Sequence, residues 1–137
     1  MRYLLDSNLL SETTKPAPEF RVELWLTIHE SEAAVSVLTM GELEKGVLLL
    51  PEGCRRNVVE AWFQRVRLQM HGRILTVDEK IMSCWAELYA GELRRGRRLE
   101  VVDSLLAATA IHHRLTIATR NVRDFPAGVA LVNPWEA

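Results

Sequence analysis

Apolar residues fall along this chain in two rhythms. Short unbroken apolar runs alternate with longer stretches in which apolar positions recur every third or fourth residue. Arg2 to Leu5 reads as a first strand that stops abruptly at Asp6. Ser7 and Asn8 can cap a brief turn, and Pro16 and Pro18 then interrupt regular structure. From Glu19, residues Phe20, Leu24, Trp25 and Ile28 recur at helical spacing, so an amphipathic helix is predicted with these residues inward. Ala33 to Leu38 reads as a second strand, and the next helix carries Leu43, Val47 and Leu50 and stops at Pro51. A longer helix is predicted from near Gly53 to Gly72, with Val59, Trp62, Val66 and Met70 on its inner face. Arg73 to Val77 is a third strand. Thr76 and Glu79 have capping-box spacing, with Asp78 as a rival cap, and the helix they open turns Ile81, Trp85, Leu88 and Tyr89 inward and closes at Gly96. Val101 and Val102 lead to Asp103, which reads as the opening of a helix striped by Leu106, Ala110 and Leu115. Leu115 to Ala118 and Val129 to Val132 complete the strands.

Strands alternating with helices imply an α/β fold, with a mostly parallel central sheet of about five strands flanked by helices on both faces. With 137 residues the chain is the size of one domain, residues 1–137, and can bury a real core. At 48% apolar and 26% charged residues it is globular rather than disordered. No apolar run reaches the roughly 18 residues of a membrane helix, and no signal-peptide pattern opens the chain, so a cytoplasmic protein without a membrane partner is expected. Cys54 and Cys84 are isolated, which fits a reducing compartment and small buried thiols. The net charge of −1 gives no global attraction for nucleic acid, so a polyanion has to meet a local basic patch.

The chemistry lies in the acids at the ends of these elements. In an open α/β sheet, ligands bind beyond the carboxyl ends of the strands. Asp6 follows the first strand, Glu42 sits in the first turn of the helix after the second, Asp103 opens a helix, and Asp124 follows the fourth strand. Each also has an ordinary structural reading. Glu42 lies at capping-box spacing from Thr39, Asp103 is a good N-cap, and Asp124 is a loop acid. Asp6 is harder to explain that way, because no strong helix follows it. Carboxylates gathered at one edge repel unless a cation neutralises them, and such oxygen donors suit Mg²⁺ or Mn²⁺. Removing one charge, at Asp6 for instance, is expected to relieve that repulsion. His112 and His113 lie far along the helix of Asp103 and read as surface or core residues, so zinc has little support.

Five segments in this order resemble the PIN-domain ribonucleases, and among them the VapC-type toxins of the FitB-like branch. They are Leu5 to Glu12, Ser36 to Gly46, Asp103 to Ala110, Thr119 to Phe125, and Asn133-Pro134-Trp135. The resemblance covers nearly the whole chain. It implies a single PIN domain in which Asp6, Glu42 and Asp103 hold Mg²⁺, or Mn²⁺ in its place. A fourth acid is implied after the fourth strand. Many PIN domains carry an acid where this chain has Asn121, so the fourth role goes to Asp124, and Asn121 is left to orient a water or a phosphate. Ser7 and Thr119 are expected to brace the carboxylates. The implied activity is endonucleolytic hydrolysis of RNA by metal-activated water, leaving a 5′-phosphate and a 3′-hydroxyl. Arg120 and Arg123 beside the site, and Arg94, Arg95, Arg97 and Arg98, are candidates to hold the RNA. The run from Arg94 also has a plainer reading, as a solvated helix end whose cations favour the helix dipole.

The implied partners are a cognate antitoxin of VapB or FitA type, an RNA substrate, a second copy of the chain, and operator DNA reached only through the antitoxin. Trp25, Trp62 and Trp85 supply the apolar surface expected for the homodimer. Two alternatives stand beside this. The chain could be a weakly catalytic or non-catalytic subunit of an antitoxin complex on operator DNA. An aspartyl phosphatase also begins with a strand ending in Asp, but presents Asp-x-Asp, and Asn8 holds the second position here.

Overall fold

The computed structural model describes all 137 residues. Five strands alternate with six helices: β1 (Tyr3–Leu5), α1 (Ser7–Glu12), α2 (Phe20–His29), β2 (Ala33–Ser36), α3 (Val37–Leu49), α4 (Cys54–Gln69), β3 (Ile74–Leu75), α5 (Glu79–Arg94), α6 (Val101–His113), β4 (Thr116–Ala118) and β5 (Leu131–Val132). Two single turns of 3₁₀ helix, Glu30–Glu32 and Val122–Asp124, precede β2 and follow β4. The sheet order is β3-β2-β1-β4-β5 and every pairing is parallel. The chain moves outward from β1 to β2 and β3, then returns to the other side for β4 and β5. The order therefore reverses between β1 and β4, and a crevice opens at such a switch point beyond the carboxyl ends of the two strands.

Successive strand residues point to opposite faces, so each face gathers its own core. Tyr3 and Leu5 of β1 join Leu9, Leu10, Val22, Trp25, Met40, Leu43, Phe63, Val66 and Met70 beneath α1 to α4. Leu4, between them in β1, joins Leu106, Ala107, Ala110 and Ile117 on the opposite face, under α6 with Leu88 of α5 against it. Full burial of a leucine such as Leu4, Leu9 or Leu106 contributes about 1.5–3 kcal/mol. No helix is long and apolar enough to cross a membrane.

Several boundaries depart from the sequence reading. β2 ends at Ser36, whose hydroxyl accepts a hydrogen bond from the Leu38 N–H at 3.1 Å and so starts α3 two residues earlier than the apolar run suggests. Thr39 is therefore inside the helix, fully buried, and is not a cap; Glu42 belongs to the second turn. Asp78, not Thr76, caps α5, accepting from the Ile81 N–H at 3.0 Å. Glu100, not Asp103, caps α6, its carboxylate accepting from the Asp103 N–H at 3.2 Å. The inner face of α2 is the largest correction. Val22 and Trp25 are buried, whereas Phe20, Leu24 and Ile28 are 73%, 46% and 60% exposed. This helix has two apolar stripes, and periodicity cannot choose between them; Trp25 goes inward because its ring packs edge-on against Tyr3 at 4.8 Å.

Candidate metal centre

Register fixes the first corner of the site. Leu5 pairs with Ala118 across β1 and β4, so the next residues, Asp6 and Thr119, leave the sheet side by side. The Asp6 N–H still reaches the Ala118 carbonyl at 3.0 Å. The Asp6 side chain is buried and held from three directions. Oδ1 accepts from the Ser7 N–H at 2.8 Å, which also makes Asp6 the N-cap of α1. Oδ2 accepts from the Thr119 hydroxyl at 2.7 Å and from the Asn8 amide at 3.4 Å. Thr119 Oγ1 in turn accepts from the Asn121 N–H at 3.0 Å. Ser7 and Thr119 thus brace Asp6, Ser7 through its backbone, and Asn121 enters through its backbone as well. Asn8 was not foreseen as a brace. Its amide beside Asp6 leaves no second acid for phosphatase chemistry.

The other acids come from helices. Glu42 projects from α3 and Asp103 from the first turn of α6; both are partly buried. Burial raises the Glu42 carboxyl above its ordinary range, with Asp6 and Glu100 adding to the shift and Lys45 opposing it. Asp103 is pushed up to about 6, first by burial and then by Asp6, Glu100, Asp124 and Glu42 in that order. Asp103 therefore lies within the field of the other three acids singled out in the sequence, together with Glu100. Asp124 sits in the 3₁₀ turn after β4 and is exposed. It lines a cavity of about 360 Å³ with Asp103, Glu100, Arg97, Arg98 and Arg123.

This donor set fits a hard divalent cation, being wholly carboxylate oxygen with no imidazole or thiol near it. His112 and His113 are exposed at the far end of α6, where their rings meet edge-to-face at 4.9 Å. Cys54 is exposed at the start of α4, contrary to the expectation of a buried thiol, and Cys84 is partly buried. No three side chains form a ready coordination shell. Like charges stand apart until a cation neutralises them.

The arginines divide differently from the sequence expectation. Arg97, Arg98 and Arg123 line the cavity with Asp103, whereas Arg94 and Arg95 do not. Arg95 Nη1 turns to Glu92 at 3.3 Å, and the Arg120 guanidinium lies over the Trp135 ring at 5.3 Å. Position within the run carried no signal for this, because the helix end decides which way each side chain leaves.

A sequence profile of the PIN domain matches residues 3–127, a span that holds all four acids. The chain belongs to the PIN domain family. Among PIN proteins it is similar to toxin FitB of Neisseria gonorrhoeae, 37% identical over 135 residues that cover 96% of this chain and 97% of that one. It is similar also to VapC ribonuclease Y4jK of Sinorhizobium fredii, at 32% identity over 97% of both chains. A crystal structure of FitAcB from Neisseria gonorrhoeae superposes with a TM-score of 0.92 at 36% identity, covering 98% of this chain and 99% of that one. FitAB bound to an IR36 DNA fragment superposes at 0.90, also with 36% identity, covering 97% and 95%. The all-parallel five-stranded sheet and its switch-point crevice are thus a PIN fold.

Proposed function

We propose that this protein is a Mg²⁺- or Mn²⁺-dependent endoribonuclease and the toxin half of a toxin–antitoxin pair. One observation carries the reading: Asp6, Glu42, Asp103 and Asp124 gather at the switch-point crevice, where burial first and neighbouring acids second raise the carboxyls of Glu42 and Asp103. A stability role gives no reason to keep such repulsion, whereas a cation site does. The resemblance to a named VapC ribonuclease supports RNA as substrate.

Asp6, Glu42 and Asp103 would hold the ion, and Asp124 stands at the open side. The chemistry an ion supplies there is Lewis-acid activation of water and neutralisation of charge on the phosphate. The chain's own residues do the rest. Thr119, Asn8 and the Ser7 N–H fix the Asp6 carboxylate in one orientation. Asp103 is poised to ionise near neutral pH. Basic side chains at the rim draw the polyanion toward an acidic crevice that would otherwise repel it. Purified protein should cleave RNA with Mg²⁺ or Mn²⁺ and not in EDTA. Cleavage at the same rate in EDTA overturns the metal reading, and no cleavage with any divalent ion overturns the ribonuclease reading.

The partner reading rests on α2. Its stripe of Phe20, Leu24 and Ile28 faces water, beside an apolar groove of about 300 Å³ lined by Leu10, Leu26, Trp62, Val66 and Met70, with Glu23, Glu30 and Arg65 also in its lining. Exposed apolar surface in whose groove acids outnumber cations suits a basic amphipathic segment of an antitoxin, which would also send a cation toward the site. A similar protein is known as a complex on DNA, so operator binding would come through such a partner. The tryptophans are not the basis for a homodimer: Trp25 is core, and Trp62 and Trp85 donate their indole N–H groups to Thr13 and Ser104. Outward Leu48, Leu49 and Leu68 on α3 and α4 take that role in the reading, and sedimentation at micromolar concentration tests it.

A further inference from the structure

The cavity beside Asp103 is flanked by a cation that is built in rather than merely present. α5 ends in a Schellman motif. Gly96 takes φ 78°, the Gly96 N–H donates to the Leu93 carbonyl at 3.0 Å, and the Arg97 N–H donates to the Glu92 carbonyl at 2.9 Å. The backbone of Arg97 is thereby fixed relative to Glu92. The Glu92 side chain then draws its guanidinium to one side by charge. This carboxylate is 3% exposed, an unusual place for an acid on a solvated helix end. Its Oε1 accepts from Arg95 Nη1 at 3.3 Å, and Oε2 faces Arg97 Nε at 3.4 Å in a charge contact without hydrogen-bond geometry. Only the Nε edge of Arg97 is engaged. Arg97 lines the cavity with Arg98, Arg123, Asp103 and Asp124, and its two Nη groups form no hydrogen bond or ion pair within the protein. Neither Arg98 nor Arg123 forms an ion pair, although carboxylates line the same cavity.

We propose that Arg97, Arg98 and Arg123 form a phosphate subsite for the RNA strand next to the scissile position, and that Glu92 is the positioning residue that orients Arg97 within it. The inference rests on the ribonuclease reading and specifies where the substrate backbone lies. A guanidinium biased toward one edge by a buried carboxylate presents its two other nitrogens to a phosphate, and loses less freedom on binding than an unrestrained side chain. Arg94, at the helix end, has no such anchor and is not part of the subsite.

The test measures binding in EDTA of a fluorescein-labelled single-stranded RNA, and steady-state cleavage of the same RNA with Mg²⁺. Arg97→Ala is expected to weaken binding about tenfold and to flatten the salt dependence by close to one phosphate contact, a slope change of about 0.7. Glu92→Gln keeps the shape and removes the charge that holds Arg97. It should raise KM severalfold with kcat nearly unchanged, and should have little further effect once Arg97 is already Ala. Arg94→Ala should leave binding and KM as they are. Equal binding and KM in wild type, Arg97→Ala and Glu92→Gln, at matched thermal stability, overturns the subsite. So does a Glu92→Gln effect that persists undiminished on the Arg97→Ala background. Wild type that binds the RNA but never cleaves it overturns the ribonuclease reading alone, and the binding arm still decides the subsite. A wild type that does not bind it overturns the subsite.

Discussion

The two sides of the acidic crevice are built in opposite ways. On the sheet side, Asp6 is buried and its carboxylate is fully engaged by Ser7, Asn8 and Thr119. On the helix side, Glu42 and Asp103 titrate high because burial and neighbouring charge act on them without any hydrogen bond to offset the cost. The difference teaches how one site can be both stable and reactive. Strand register supplies a rigid anchor whose charge is already solvated by the protein. The helices supply carboxylates whose charge waits for a cation. The repulsion is shared, since Asp6 is the foremost charge acting on both Glu42 and Asp103, but only Asp6 has hydrogen bonds that offset it, and variants on the two sides should respond differently.

The largest effect expected is on catalysis. Asp103→Asn should lower metal-dependent RNA cleavage by at least about 100-fold, the scale seen when one group stabilising a transition state is removed, while remaining folded by circular dichroism. Wild-type cleavage by this variant removes Asp103 from the site. Next comes the brace. Thr119→Val keeps the shape but strips the hydroxyl from Asp6 Oδ2, and should weaken metal binding or activity about 10- to 100-fold, as loss of a partner behind a ligand does. An unchanged metal titration would mean that Asp6 needs no bracing.

Stability should then separate the sides by sign. Charge relief was the expectation for Asp6 from sequence, and Asp6 is the foremost charge acting on Glu42 and Asp103, but its three hydrogen bonds are lost or weakened with the charge, whereas Asp103 has none to lose. Asp6→Asn forces an amide into a site with three donors and should cost about 1–3 kcal/mol in EDTA. Asp103→Asn should instead raise the melting temperature in EDTA by on the order of 2 °C, a small figure because water still screens this partly open carboxyl. Melts in which both variants shift the same way break the comparison. The smallest effect is in pH. The folded state holds the Asp103 proton up to about 6, whereas the unfolded chain releases it near its ordinary 3.8. The folded state therefore binds more protons between these values, and this group's contribution to metal-free stability falls as pH rises through the window. Affinity for Mg²⁺ should rise across the same window, since the proton and the ion compete for the carboxylate. A metal affinity that is flat from pH 4 to 7 would place the ion elsewhere.

How much of this was legible beforehand varies by residue. Asp6 was readable because an apolar strand ending in an acid is a local pattern, and the parallel sheet followed from alternating rhythms. Glu42, Asp103 and Asp124 were readable as acids at the ends of elements. The caps of α3 and α6 were misread and that of α5 was left between Thr76 and Asp78, because Thr39, Thr76 and Asp103 all have side chains that could cap, and local spacing does not rank them. In the fold, Ser36, Asp78 and Glu100 take those roles, and the caps at Ser36 and Glu100 free Glu42 and Asp103 for the crevice.

What the sequence determined by itself is what depends on near neighbours: the periods of strands and helices, the turns at Gly72 and Gly96, and the supply of four acids in order along the chain. Tertiary structure decided what depends on packing across the sheet. Strand order placed Asp6 beside Thr119, residues separated by 113 positions. Packing turned Trp25 inward and left Phe20, Leu24 and Ile28 to water. The end of α5 sent Arg95 and Arg97 to Glu92 and brought Arg97 to the cavity of Asp103. These outcomes rest on which of two apolar stripes, or which of several cations, finds a partner distant in the chain, and local periodicity carries no information about that partner.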